Sequence, residues 1–133
     1  MVYHCTIEKE GDMYIAQFPD MTNILTCGFT HEEALAMAKE ALDGCLEVDI
    51  SHGNTIPPPA YTGGYPVPVA NHIALSLRLR ELRGEQSQSE IARKLGLSYQ
   101  AYQRLENPRK ANPTVKTLEK IARVYGRELS ISL

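Results

Sequence analysis

Arginine is missing from the first 70 residues of this 133-residue chain, and lysine occurs there only at Lys9 and Lys39. Against them stand ten carboxylates, a formal balance of −8. Such a stretch is suited to a merely soluble module or to one that faces a basic partner, not to one that faces nucleic acid. Cysteine is scarce too: Cys5, Cys27 and Cys45 are odd in number, widely spaced and never in a Cys-x-x-Cys pair. Neither a disulfide framework nor a zinc site is indicated, and the three are expected to be reduced, small core hydrophobes. Long apolar runs are lacking, because charge interrupts them every few residues. Met1-Val2-Tyr3-His4-Cys5 has no basic-then-apolar signal pattern, so the chain is expected to be soluble and cytoplasmic.

What the first part lacks, the second has. Residues 71–133 hold twelve lysines and arginines against six glutamates, a balance of +6 that the overall pI of about 6.1 conceals. A basic module suited to nucleic acid and an acidic module therefore share one chain, with the division expected between residues 1–70 and 71–133.

Val2–Ile7 and Met13–Phe18 are β-rich runs around a Gly-Asp turn signal and predict a hairpin. Ile24–Cys27 predicts a third short strand. Thr30-His31-Glu32-Glu33 is a capping box, and Ala34, Leu35, Ala38, Leu42, Cys45 and Leu46 follow at helical spacing, so an amphipathic helix should run from there to about Ile50–Gly53. Five prolines and two glycines then interrupt residues 54–68, which predicts an extended linker packed on the first domain. Pro66 and Pro68 cannot donate to a ladder, so Tyr65–Val69 can be no more than an edge strand. From residue 71 the pattern is helical: Leu75, Leu79 and Leu82; then Ile91, Ala92 and Leu95 behind a capping box at Ser87–Glu90; then Ala101, Tyr102 and Leu105 behind Ser98; and finally Val115–Tyr125 behind Thr114 or Asn112. Leu129, Ile131 and Leu133 alternate with polar residues and predict a terminal strand able to pair within its own domain or with a second copy.

A helix ending at Leu95, a glycine turn and a second helix capped by Ser98 is the layout that offers the second helix to a major groove. Gln88-Ser89-Glu90-Ile91-Ala92-Arg93-Lys94-Leu95-Gly96-Leu97-Ser98, with Arg104-Leu105-Glu106-Asn107 and Asn112-Pro113-Thr114, resembles the helix-turn-helix of phage-repressor-type (Cro, Xre) regulators. The resemblance implies that Gln88 and Ser98 meet phosphates, that Tyr99, Gln100, Gln103 and Arg104 lie on the reading face, and that Arg109 and Lys110 flank the backbone. The chemistry fits, since glutamine can pair bidentately with adenine and arginine with guanine. Asn107-Pro108 departs from the pattern, replacing the glycine usual after the second helix.

Tyr14-Ile15-Ala16-Gln17-Phe18-Pro19-Asp20, Gly28-Phe29-Thr30-His31-Glu32-Glu33-Ala34, Glu40-Ala41 and Gly53-Asn54-Thr55-Ile56-Pro57 resemble the N-terminal domain of HicB-type antitoxins. Met21-Thr22 stands where that family has Pro-Gly. The resemblance implies an α+β chain: a reduced ribonuclease-H-like domain of three strands, a helix and a final strand, followed by an all-α helix-turn-helix domain with its terminal strand. It implies an antitoxin that neutralises a small basic HicA-type toxin, an RNA-cleaving protein, and that represses its own operon on double-stranded operator DNA. One such module reads too few base pairs for useful specificity, so a homodimer or higher oligomer is expected. Tyr14, Asp20, Glu40, Asp43 and Glu47 are the residues expected to face the toxin.

Two other readings bear on the same residues. The acidic half could sense a small ligand for a stand-alone regulator. A ribonuclease-H-like sheet could also hold two metal ions, but Glu8, Glu10 and Asp12 cluster at a hairpin turn while Asp43, Glu47 and Asp49 spread along a helix, and the four histidines are scattered. That pattern favours an acidic face over a metal site, so neither enzymatic activity, cofactor nor metal is expected.

Overall fold

In the computed structural model, which describes residues 1–133, the alternation of the first runs becomes an antiparallel sheet. β1 (Val2–Glu10) and β2 (Met13–Phe18) are joined by Gly11-Asp12, with Gly11 at φ +62°. β3 (Met21–Gly28) pairs with β2, and β4 (Tyr65–Pro68) pairs with β1, giving the order β3-β2-β1-β4 with every pairing antiparallel. The third strand starts earlier than Ile24 because a register irregularity at Gln17/Phe18 lets Phe18 pair with Met21 and recruits Met21–Asn23 to the ladder.

One face of the sheet is covered by α1 (His31–Ser51), which begins where Thr30 accepts the Glu33 amide on its hydroxyl at 3.0 Å. Ala34, Ala38, Leu42, Leu46 and Ile50 recur every four residues and are buried, facing Tyr3, Cys5, Ala16, Phe18 and Val67 of the strands. Each large side chain wholly removed from water there contributes about 1.5–3 kcal/mol. Leu42→Ala would cost about 2–5 kcal/mol through the cavity it leaves. The cysteines do not share one environment: Cys5 is core, Cys45 is half-buried and Cys27 is exposed. Cys27 pairs with Ile15 on the sheet face that α1 does not cover, so the expectation of three core cysteines holds for Cys5 alone.

Residues 54–64 have no regular structure yet are held along their length. The Tyr3 hydroxyl donates to the Pro57 carbonyl, Asp20 accepts the amides of Ala60 and Tyr61 at 2.9 Å each, and His4 Nδ1 meets the Gly63 carbonyl at 2.9 Å. Gly64 stands at φ +60°, where a Cβ would collide with the Cys5 carbonyl oxygen. β4 follows as an edge strand with Val67 inward and Pro66 and Pro68 exposed, as two missing donors require.

The chain divides into two compact units, Met1–Ala74 and Leu75–Leu133. The second is built from the remainder of α2 (Asn71–Arg83), α3 (Gln88–Leu95), α4 (Tyr99–Leu105) and α5 (Val115–Val124). Ser87, Ser98 and Thr114 each accept the amide three residues on at 3.1 Å, and Gly96 at φ +67° closes α3 in the left-handed conformation. Leu79, Ile91, Ala92, Leu95, Tyr102, Leu105 and Ile121 form its core. The terminal strand is absent: residues 127–133 carry no β-structure, and Ile131 and Leu133 are exposed. A strand needs a neighbouring ladder, and this helical unit has no sheet edge to provide one.

Candidate functional site

The short α4 is positioned from below. Tyr102 and Leu105 are buried, which leaves Tyr99, Gln100, Gln103 and Arg104 exposed on the opposite side, all four on one surface. Tyr99 is 43% exposed although it is a large apolar ring. Ser98 is committed locally, its hydroxyl accepting the Ala101 amide. A phosphate contact from Ser98 would therefore use its hydroxyl proton. Arg109 and Lys110 are exposed on the loop after α4, where the Asn107 side chain accepts the Arg109 amide at 3.1 Å and Pro108 is buried. The loop is thus ordered by an Asn side chain and a packed proline in place of a glycine.

Beneath this surface lies a polar cluster that the helix-turn-helix motif does not announce. Glu106 caps the end of α4 at 6% exposure, and Arg83 donates to it twice, Nε to Oε2 at 2.8 Å and Nη2 to Oε1 at 3.0 Å. Gln88 Nε2 donates to the same Oε1 at 3.3 Å. Burial alone would raise the Glu106 carboxyl, but the hydrogen bonds and charge of Arg83, with help from Tyr102 and Gln88, outweigh it and hold the group below its ordinary value. Arg83 is held above its own, first by the Glu106 bond. The hydroxyls of Tyr102 and Tyr125 are buried beside this carboxylate, and burial first pushes both phenols up, followed at Tyr102 by the hold of the nearby Glu106 carboxylate on its hydroxyl proton and at Tyr125 by the Glu106 charge. Gln88 is accordingly anchored by one amide proton, leaving its other proton and its carbonyl for a partner. One sequence signal could have revealed the cluster. A carboxylate at a helix C-terminus opposes the helix dipole, so Glu106 after Leu105 calls for a compensating cation.

In the first unit, the residues expected to face a partner are spread out and mostly engaged. Asp20 sits between β2 and β3 holding the Ala60–Tyr61 amides. Asp43 accepts Lys39 Nζ at 3.1 Å and the Ala70 amide at 3.0 Å, and Glu47 lies 3.4 Å from His72. Tyr14 stands edge-on to His31 at 6.2 Å between ring centroids, with His31 in turn 4.5 Å from Tyr65. Glu40 is exposed on α1. The structure thus commits three of the five to holding residues 60–72 against the unit and does not gather the set into one patch. Nowhere do three or more His, Cys, Asp or Glu side chains converge as a metal ion would require, the carboxylates of the β1–β2 hairpin included. No helix is long and apolar enough to cross a membrane.

Comparison with known proteins matches both units. The profile of the HicB-like antitoxins of bacterial toxin-antitoxin systems matches residues 2–75, and a helix-turn-helix profile matches residues 79–131. Antitoxin HicB 1 of Photorhabdus laumondii is 32% identical over 137 aligned positions, covering 100% of this chain and 87% of the relative. Antitoxin HicB 2 of the same organism is 36% identical over 107 positions, 79% of this chain and 77% of the relative. Antitoxin HicB of Escherichia coli K12 is 30% identical over 124 positions, 89% of this chain and 88% of the relative.

Proposed function

The chain belongs to the HicB-like antitoxin family, and from that premise we propose that it neutralises a small basic HicA-type toxin through its acidic unit and represses its own operon through its basic one. The observation that carries the reading is the pairing, in one chain, of a −8 stretch with a capped helix-turn-helix of opposite charge. The first steers a basic partner and repels the RNA that partner would cleave; the second exchanges counterions for lysine and arginine on a duplex.

On DNA, Gln100, Gln103, Arg104 and Tyr99 read base edges from the exposed side of α4, while Gln88, Ser98, Arg109 and Lys110 hold the backbone. Two-fold repressors read half-sites about 34 Å apart or at multiples of that spacing, so the operator-bound form is at least a dimer. The apolar tail at Leu129, Ile131 and Leu133 is the segment that a second copy would cover. No catalytic step is assigned to the chain.

Co-expression with the product of the adjacent gene tests the reading. The expected result is co-purification of a small basic protein, restored growth, and a shift of DNA from the operon's own promoter. Arg104→Ala or Gln100→Ala should weaken operator binding by about 1–3 kcal/mol and relax selectivity at one base pair, whereas Lys110→Ala should weaken all DNA alike and flatten the salt dependence. A chain that leaves the cells poisoned and captures no protein would overturn the neutralisation half.

A further inference from the structure

The face of the sheet turned away from α1 is unlike an ordinary solvent face. Tyr3, Cys5, Ala16 and Phe18 point toward α1, so alternation sends Glu8 and Glu10 of β1 and Ile15 and Gln17 of β2 to the other side. The registers place Glu8 opposite Ile15 and Ile15 opposite Cys27, with Gln17 opposite Leu25 on the next row. Solvent faces of antiparallel sheets are normally polar. Here Ile15 lines a shallow groove of about 250 Å³ with Thr6, Gln17, Glu8, Lys9 and Glu10, the Lys9 ammonium lying 5.9 Å from the centre of the Tyr14 ring, and Leu25 beside the groove is 67% exposed. No helix or loop of this unit covers the groove, whereas Asp20, Asp43 and Glu47 are already engaged with residues 60–72.

An apolar centre with an acidic border needs a particular occupant. A second copy of the same face would set Glu8 and Glu10 against their own kind, two like charges on each side with only Lys9 to offset them. A basic protein meets both requirements, with apolar side chains over Ile15 and Leu25 and cations toward the two glutamates. We propose that the open face of the sheet, with Ile15 and Leu25 as anchors and Glu8 and Glu10 as the charged border, is where the toxin docks. This rests on the neutralisation reading above and names the surface that carries it. On the α1 side, Asp43 and Glu47 are engaged with Ala70 and His72, whereas Glu40 is exposed and serves as the competing position in the test.

The test uses the full-length chain with the toxin as probe, measuring complex formation and operator binding side by side. The paired variant Ile15→Lys with Leu25→Lys should weaken toxin binding at least about tenfold, the scale of an interface anchor, while operator binding stays at the parent level and certifies a folded protein. Should that pair unfold the first unit, Glu8→Lys with Glu10→Lys, at two exposed positions, must still weaken the complex. Glu32→Lys with Glu33→Lys makes the same charge change in the first turn of α1 and should leave binding near the parent value, separating contact from general steering. Parent-like toxin binding by the open-face variants overturns the proposal, as does Glu40→Lys abolishing binding while they retain it. A parent chain that binds no toxin at all overturns the neutralisation reading itself, which the operator measurement alone would not reveal.

Discussion

Glu106 shows how a single side chain can connect a motif to its purpose. It sits where the dipole of α4 disfavours an anion, and Arg83 compensates with two short, charge-assisted bonds while Gln88 adds a third. Arg83 ends α2, Gln88 opens α3 and Glu106 closes α4, so one carboxylate fixes the mutual placement of three helices whose outer surfaces must match a groove. Glu106→Ala leaves a partly buried guanidinium unpaired and should destabilise the second unit by about 3–5 kcal/mol. Because the folded-state value lies below the ordinary glutamate value of 4.5, the stabilisation is present in full above that pH and is lost as pH falls through the folded-state value. Thermal unfolding followed from pH 7 to pH 2 should show this acid-dependent loss in the parent. Glu106→Gln, less stable at neutral pH, should lack this component. Identical pH profiles for the two would remove Glu106 from that account.

Among the elements, the segment from 54 to 68 most changes the picture drawn from composition. Its prolines suggest a spacer, but Asp20, Tyr3 and His4 bind its backbone and β4 completes the sheet. The crossing depends on Gly64, because at φ +60° with the Cys5 carbonyl against it no side chain fits without displacing one strand or the other. Gly64→Ala should therefore cost at least about 1–3 kcal/mol, the scale of backbone strain at such a position. It should also free β4, seen as faster amide exchange at Tyr3 and Cys5, the buried residues of β1 paired with Val67 and Tyr65. Unchanged exchange there would mean that the pairing tolerates a shift of the turn. Gly53, also at positive φ but with open space around it, should tolerate alanine at the smaller cost of backbone conformation alone.

At the scale of the whole molecule, the two units have separate cores and opposite charge, and so their activities should separate. Residues 1–74 are expected to bind the toxin and restore growth without binding DNA; residues 71–133 should bind operator, more weakly if dimerisation also draws on the first unit. Their salt responses should differ in kind. Operator affinity should fall steeply and log-linearly with salt through counterion release, whereas toxin binding should fall only partway, because screening removes charge attraction and leaves apolar contact. Growth rescue by residues 71–133, but not by 1–74, would reverse this division of labour.

Much of the fold was legible in the sequence because its signals are local. Thr30, Ser87, Ser98 and Thr114 cap helices that sequence spacing already places, Gly11 and Gly96 turn the chain by conformation alone, and Pro66 and Pro68 restrict β4 to an edge. The outward set on α4 follows from Tyr102 and Leu105 being apolar, since helical periodicity then leaves Tyr99, Gln100, Gln103 and Arg104 on the other side. Properties that depend on distant partners were not legible. Alternation at Leu129–Leu133 specifies a strand only where a ladder is available, and the isolated unit has none. The roles of Asp20, Asp43 and Glu106 were settled by groups 40, 27 and 23 residues away, and a carboxylate looks the same in sequence whether it faces solvent, an amide or an arginine. Sequence by itself determined which elements form and how charge divides between them, through propensity and pattern acting within a few residues. Tertiary structure alone decided which charges are engaged and which face of the sheet stays open, because hydrogen bonding and burial depend on what the fold brings within reach.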